Sequence, residues 1–182
     1  QVERTACDPA VAAEARMQRA GLAFELVGCE KGSWDDARAL CRSAEAMPDA
    51  PAATRATARL MFAETFFKER NYDRTAQEAD RLIADFPNVT RERVTAMYWK
   101  ARSLQELHRA DEALAVYAAI EKETITPQEL FPALNVKARA LSEPARIHRH
   151  RGNLEAARAL ETRLLETYPD SREAQQLKKS TP

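Results

Sequence analysis

The sequence predicts an all-α chain: an α-α superhelix of about four helical hairpins closed by a C-terminal helix. Three observations carry that prediction. Alanine supplies about one residue in five and Leu, Glu, Arg and Gln are plentiful, whereas glycine (4 residues), valine and isoleucine are thin, so helices are favoured and a sheet has little to be built from. A turn-plus-helix segment recurs four times along the chain. Between its copies, apolar residues return at the 3-and-4 spacing of one buried helical face.

The repeated segments read Gly32-Ser33-Trp34-Asp35-Asp36-Ala37, Arg70-Asn71-Tyr72-Asp73-Arg74-Thr75, His108-Arg109-Ala110-Asp111-Glu112-Ala113 and Gly152-Asn153-Leu154-Glu155-Ala156-Ala157. Their third residues fall at 34, 72, 110 and 154, in steps of 38, 38 and 44. Each copy offers a turn, acidic residues suited to a helix N-terminus, and a small residue that lets a neighbouring helix approach. Leu82-Ile83-Ala84-Asp85-Phe86-Pro87 and Leu164-Leu165-Glu166-Thr167-Tyr168-Pro169 close two copies alike, and proline after the aromatic stops the helix. Val94, Met97, Ala101, Leu104 and Leu107 mark a partner helix, as do Phe62, Ala63 and Phe66. Asp8-Pro9 reads as an N-cap with proline at the first helical position, and Thr126-Pro127-Gln128-Glu129 as a capping box. Helices are expected near 9–29, 33–46, 52–69, 72–86, 89–108, 111–123, 128–151, 153–168 and 171–179. Pro132 and Pro144 should kink or split the seventh. The organisation is one domain over 1–182, with repeats near 9–50, 51–88, 89–126 and 127–169 and a cap helix over 170–182.

Composition narrows the function classes. At 182 residues with 45% apolar and 31% charged residues, the chain can bury a sizeable core and is not of disordered type. The longest apolar run, Ala113 to Ile120, is under half a membrane span, so no transmembrane helix is expected. Twenty-eight basic residues balance 28 acidic ones, which argues against a dedicated nucleic-acid or anionic-membrane binder. The chain opens on Gln1, and no signal peptide or lipidation box is visible.

The chain resembles the tetratricopeptide-repeat (TPR) superfamily over roughly residues 18–169. Tyr72, Thr75, Ala79, Leu82 and Pro87 match the order and spacing of that family's second helix. Ala113, Tyr117 and Ile120 do so in the third copy, Gly152, Ala157, Leu164 and Pro169 in the fourth, and Gly32, Trp34, Ala37 and Ala44 in the first. Arg59 and Leu141 stand where the family carries a large aromatic early in its first helix. The long steps and the Phe-Pro-Asn and Tyr-Pro-Asp-Ser endings resemble the divergent repeats of bacterial envelope proteins, of TolA-binding and BamD type. The resemblance implies stacked hairpins whose first helices line a concave groove that holds a protein or peptide. It places Leu60, Glu64, Phe67 and Lys68, then Tyr98, Arg102, Gln105 and Glu106, then Arg139, Ser142, Arg146, Arg149 and His150 along that groove. Such a groove would run from an apolar-aromatic end to a cationic one and suit a segment with hydrophobic anchors and a carboxylate. Phe67 and Tyr98 equally suit packing between repeats. Arg139, Arg146, Arg149 and Arg151 equally suit a solvated helix end, where cations favour the dipole. The lysine-and-asparagine carboxylate clamp of chaperone-binding relatives is not matched, since Glu64, Arg102 and Arg146 occupy its position.

Catalysis finds little support. His148 and His150 lie about 200° apart on a helix and cannot share a metal, and no phosphate loop, HExxH or Gly-x-Ser-x-Gly is present. Asp35-Asp36 and Asp111-Glu112 fall at helix starts, where capping accounts for them; Trp34 and Trp99 read as packing residues. No cofactor or metal is expected. Cys41 lies roughly 12 Å from Cys29 along the helix axis, at about 1.5 Å per residue, beyond the Cα separation of about 7 Å that a disulfide spans. A Cys29–Cys41 bond would need the first helix to end near Gly28 and fold back, and Cys7 lies further off. The expected function is thus a non-enzymatic protein-interaction scaffold. A structural subunit assembling through its outer or terminal helices is the alternative. A periplasmic or cell-envelope location follows from the envelope resemblance, with the cytoplasm as the other option; the partner's identity and the oligomeric state stay open.

Overall fold

The structure, a computed structural model, describes residues 9–28, 31–125 and 135–180. Nine α-helices and no strand occur among them: α1 (Pro9–Gly28), α2 (Trp34–Glu45), α3 (Ala52–Lys68), α4 (Tyr72–Asp85), α5 (Thr90–Glu106), α6 (Ala110–Lys122), α7 (Val136–His150), α8 (Leu154–Thr167) and α9 (Arg172–Ser180). They pair as the hairpins α1/α2, α3/α4, α5/α6 and α7/α8, and α9 packs on α7 and α8. Each first helix also packs on the next, from α1 to α3, α5, α7 and α9, while successive second helices are not joined in this way. Contact along one layer and splaying along the other curve the stack, and the layer of first helices takes the inner side. The core is accordingly a row of separate clusters. Met17, Ala44 and Ala58 form one, Ala20, Cys41 and Phe62 a second, Leu60, Leu82, Phe86 and Ala96 a third, Val94, Tyr98, Tyr117 and Ile147 a fourth, and Leu141, Leu164 and Ala174 the last. No hairpin hides its apolar face alone, so neighbours shelter one another.

The recurring segments explain this regularity. Their sixth residues, Ala37, Thr75, Ala113 and Ala157, are all fully buried, so close helix approach is met by a small side chain each time. Their first residues adopt left-handed backbone at Arg70 (φ 62°), His108 (φ 60°) and Gly152 (φ 78°). In each case the amide one residue on donates to the carbonyl five residues back: Asn71 to Phe66 (2.8 Å), Arg109 to Leu104 (2.8 Å) and Asn153 to His148 (2.9 Å). This Schellman closure turns three first helices into their partners by the same route. The α1–α2 turn has the same five-residue bond two positions earlier in its segment, with Lys31 N donating to Leu26 O at 2.9 Å. Side-chain caps then start the next helices: Ser33 accepts from Asp36 N (3.1 Å), Asn71 from Arg74 N (3.3 Å), Asn135 from Ala138 N (3.0 Å) and Ser171 from Ala174 N (3.1 Å).

The described part of the seventh helix begins at Val136 behind the Asn135 cap, and it continues through Pro144 without a break. Pro144 is buried, so packing of its ring offsets the hydrogen bond it cannot make. Asp8, Cys7, Cys29, Pro132 and the Thr126-Glu129 capping box lie outside the described residues. Cys41 is a buried free thiol whose pKa is pushed up to about 12, first by burial and then by Glu45.

Candidate functional site

The inner layer presents a trough, and its most developed part lies where α5, α7 and α9 meet. Arg102 reaches across from α5 and donates from Nη1 to Glu143 Oε1 on α7 at 3.0 Å. The other oxygen of Glu143 accepts from Arg146 at 2.6 Å. Burial works against the Arg102 charge, yet Glu143 and Tyr98 hold its pKa above the ordinary arginine value. One turn earlier on α7, Arg139 donates from Nε to Glu173 on α9 and from Nη1 to the Tyr98 hydroxyl, both at 3.0 Å. Its guanidinium carbon lies 5.6 Å from the Tyr98 ring centroid, within cation–π range. Tyr117 completes the floor by donating to Gln105 Oε1 at 2.5 Å, and burial drives its hydroxyl pKa well upward. A cleft of about 350 Å³ opens above, lined by Arg139, Ser142, Arg146, Arg172 and Gln176 with the two glutamates. Arg172 has no ion-pair partner among the described residues, and Arg146 is 56% exposed, so two guanidiniums face solvent at the mouth.

Tyr98, Arg102, Gln105, Arg139, Ser142 and Arg146 therefore come together at this end of the trough. The remaining groove candidates do not join them. Leu60 is core, 5% exposed. Phe67 packs against Trp99 (centroids 4.7 Å apart) and Tyr72 (5.2 Å), and Tyr98 against Trp99 (5.5 Å) and Tyr117 (6.4 Å). With Tyr98 only 1% exposed, this aromatic chain stitches the second hairpin to the third. Glu64 and Lys68 pair with each other at 3.8 Å; burial raises the Glu64 pKa and Lys68 partly offsets it. Arg149 turns away from the trough, donating to Glu161 on α8 at 2.7 Å. His150 is exposed at the end of α7, and Glu106 is spent on Arg102 at 3.5 Å. The cationic end expected from sequence is thus an interleaved ion-pair lattice, because Glu143 and Glu173 stand among the arginines. Glu143 is legible three residues before Arg146, a helix-surface pairing distance. Glu173 has no local signal, since it arrives from a different helix. Among the described residues, no group of three or more His, Cys, Asp or Glu side chains is placed to hold a metal, and no helix is long and apolar enough to cross a membrane.

Stacked hairpins around an inner trough define a helical-repeat protein. The Tetratricopeptide repeat family model matches residues 60–129, which spans most of the second and third hairpins. Among solved structures, the crystal structure of a TPR-like protein from Chlorobium tepidum is similar. It is 21% identical, with a TM-score of 0.51, and the match covers 76% of this chain and 96% of that one. A search of the curated proteins gives no match. The family match and the shared fold support the tetratricopeptide-repeat superfamily.

Proposed function

We propose that this chain is a non-enzymatic scaffold that holds a protein or peptide segment in the trough, as part of a bacterial envelope complex. TPR proteins are in general non-catalytic binding scaffolds, and their repeats bind proteins. The observation that carries the reading is the cleft over α7 and α9, where Arg146 and Arg172 point exposed guanidiniums into a walled concavity. Those groups suit an acidic side chain or a terminal carboxylate of an extended segment. The Arg102–Glu143–Arg146 and Tyr98–Arg139–Glu173 networks hold the wall rigid, so little order is lost on binding. A periplasmic or envelope location rests on the resemblance of the repeat steps and endings to those of envelope proteins, with the cytoplasm as the alternative.

The test is charge reversal at the mouth. Arg146→Glu with Arg172→Glu should abolish partner recovery from native cells while helicity stays unchanged. Recovery at the wild-type level would overturn the assignment of the trough. Tyr98 is unsuited to this experiment, because substituting a buried ring would unsettle the stack itself.

A further inference from the structure

Helix α1 buries Ala13, Met17 and Ala20 against its neighbours. Its opposite face is also apolar. Val11 is 58% exposed, Leu22 61% and Leu26 47%, three of the four large hydrophobic residues exposed among the described residues. At about 100° per residue, Val11, Ala15, Leu22 and Leu26 fall in a stripe roughly 60° wide. Glu14 and Glu25 flank it on one side and Arg19 on the other, with Gln18 at the acidic edge. Neither Glu14 nor Arg19 has an ion-pair partner among the described residues, although 18 ion pairs bind the rest of the molecule.

We propose that α1 is the interface of a parallel homodimer, in which the stripe of one copy packs on the stripe of a second. The distribution of charge selects the occupant. In a side-by-side parallel pair, the acidic flank of each helix meets the basic flank of the other. Glu14 then faces Arg19 of the second copy five residues on, the offset at which flanking charges bridge parallel coiled helices. An antiparallel pair would set acid against acid. Gln18 borders the seam, where a polar residue fixes register at some cost in stability. A single pair of helices about 30 Å long is a small interface, so association is concentration-dependent. The pairing does not use the α7–α9 cleft, so that cleft and the dimer can each fail without the other.

Sedimentation of the full chain should show monomer passing to dimer across roughly 1–300 µM, the range of a small interface. Leu22→Glu should leave the circular dichroism unchanged, since the side chain is exposed, and abolish the dimer. Glu14→Arg and Arg19→Glu should each weaken association about tenfold, and the double exchange should restore it. A monomer at every concentration would overturn the proposal, even where a photocrosslinker at position 22 captured a foreign protein. A dimer indifferent to Leu22→Glu, or strengthened by Glu14→Arg alone, would equally overturn it.

Discussion

The two ends of the stack are finished differently. At one end α9 sets Ala174 and Leu177 against Ala138, Leu141 and Leu164, and turns Gln175, Gln176, Lys178 and Lys179 to water. At the other end α1 buries Ala13, Met17 and Ala20 and leaves Val11, Leu22 and Leu26 exposed. A solenoid stops where its last helix is apolar on one side only. By that criterion α9 has the pattern of a cap, whereas α1 carries a second apolar face. The same contrast runs through the polar contacts. The terminal helix α9 is tied to α7 by Arg139–Glu173 at 3.0 Å, whereas Glu14 and Arg19 on α1 have no ion-pair partner among the described residues.

The largest effect that could break this contrast comes from removing the cap. Deleting residues 171–182 uncovers Leu141 and Leu164 and removes the Arg139–Glu173 bridge. It should cost about 3 kcal/mol and lower the melting temperature by roughly 10 °C. An unchanged melting curve would mean that α9 caps nothing.

The hairpin turns give a smaller and sharper comparison. No atom lies within 4 Å of the place a Cβ would occupy on Gly152, so Gly152→Ala meets only the backbone penalty of φ +78°. That should cost about 1 kcal/mol in urea unfolding. His108→Gly, at the equivalent position of the preceding hairpin, should gain a similar amount or less. Opposite signs at equivalent positions would confirm a shared turn, and like signs would contradict it.

Acid should loosen the third hairpin, which lies between the two ends. Arg93 donates to both oxygens of Glu123 at 2.7 and 2.6 Å and holds its pKa below the ordinary glutamate value of 4.5. A carboxylate depressed by folding contributes stability that is complete above that value and is lost as pH falls through it and below. Hydrogen exchange should therefore show α5 and α6 loosening with acid, and Glu123→Gln should flatten that dependence. A pH response unaltered by Glu123→Gln would remove the pair from the account.

The repeats are open to sequence reading because they depend on local features. Ala37, Thr75, Ala113 and Ala157 reveal close helix approach by their size, and the segments around them carry their turns and caps within six residues. The trough is only half legible. Its arginines are visible, but Glu173 reaches Arg139 from 34 residues away, and Phe67 and Tyr98 look alike in sequence whether they face a ligand or a neighbouring hairpin. Arg149 belongs to the right helix and the wrong face, since Glu161 on α8 draws it outward. The Thr126-Glu129 box that the sequence offers as the start of the seventh helix lies outside the described residues, and it is the Asn135 side chain that caps Val136–His150.

The claim on which function rests is that the inner wall, and not the outer one, holds the partner. Photocrosslinking side chains placed at Arg146 and Arg172 on the inner side, and at Gln77 and Thr162 on exposed positions of the outer helices, would compare the two walls directly in the native cell. The account predicts one discrete adduct from the inner positions and none from the outer. Adducts from Gln77 and Thr162 alone would contradict it.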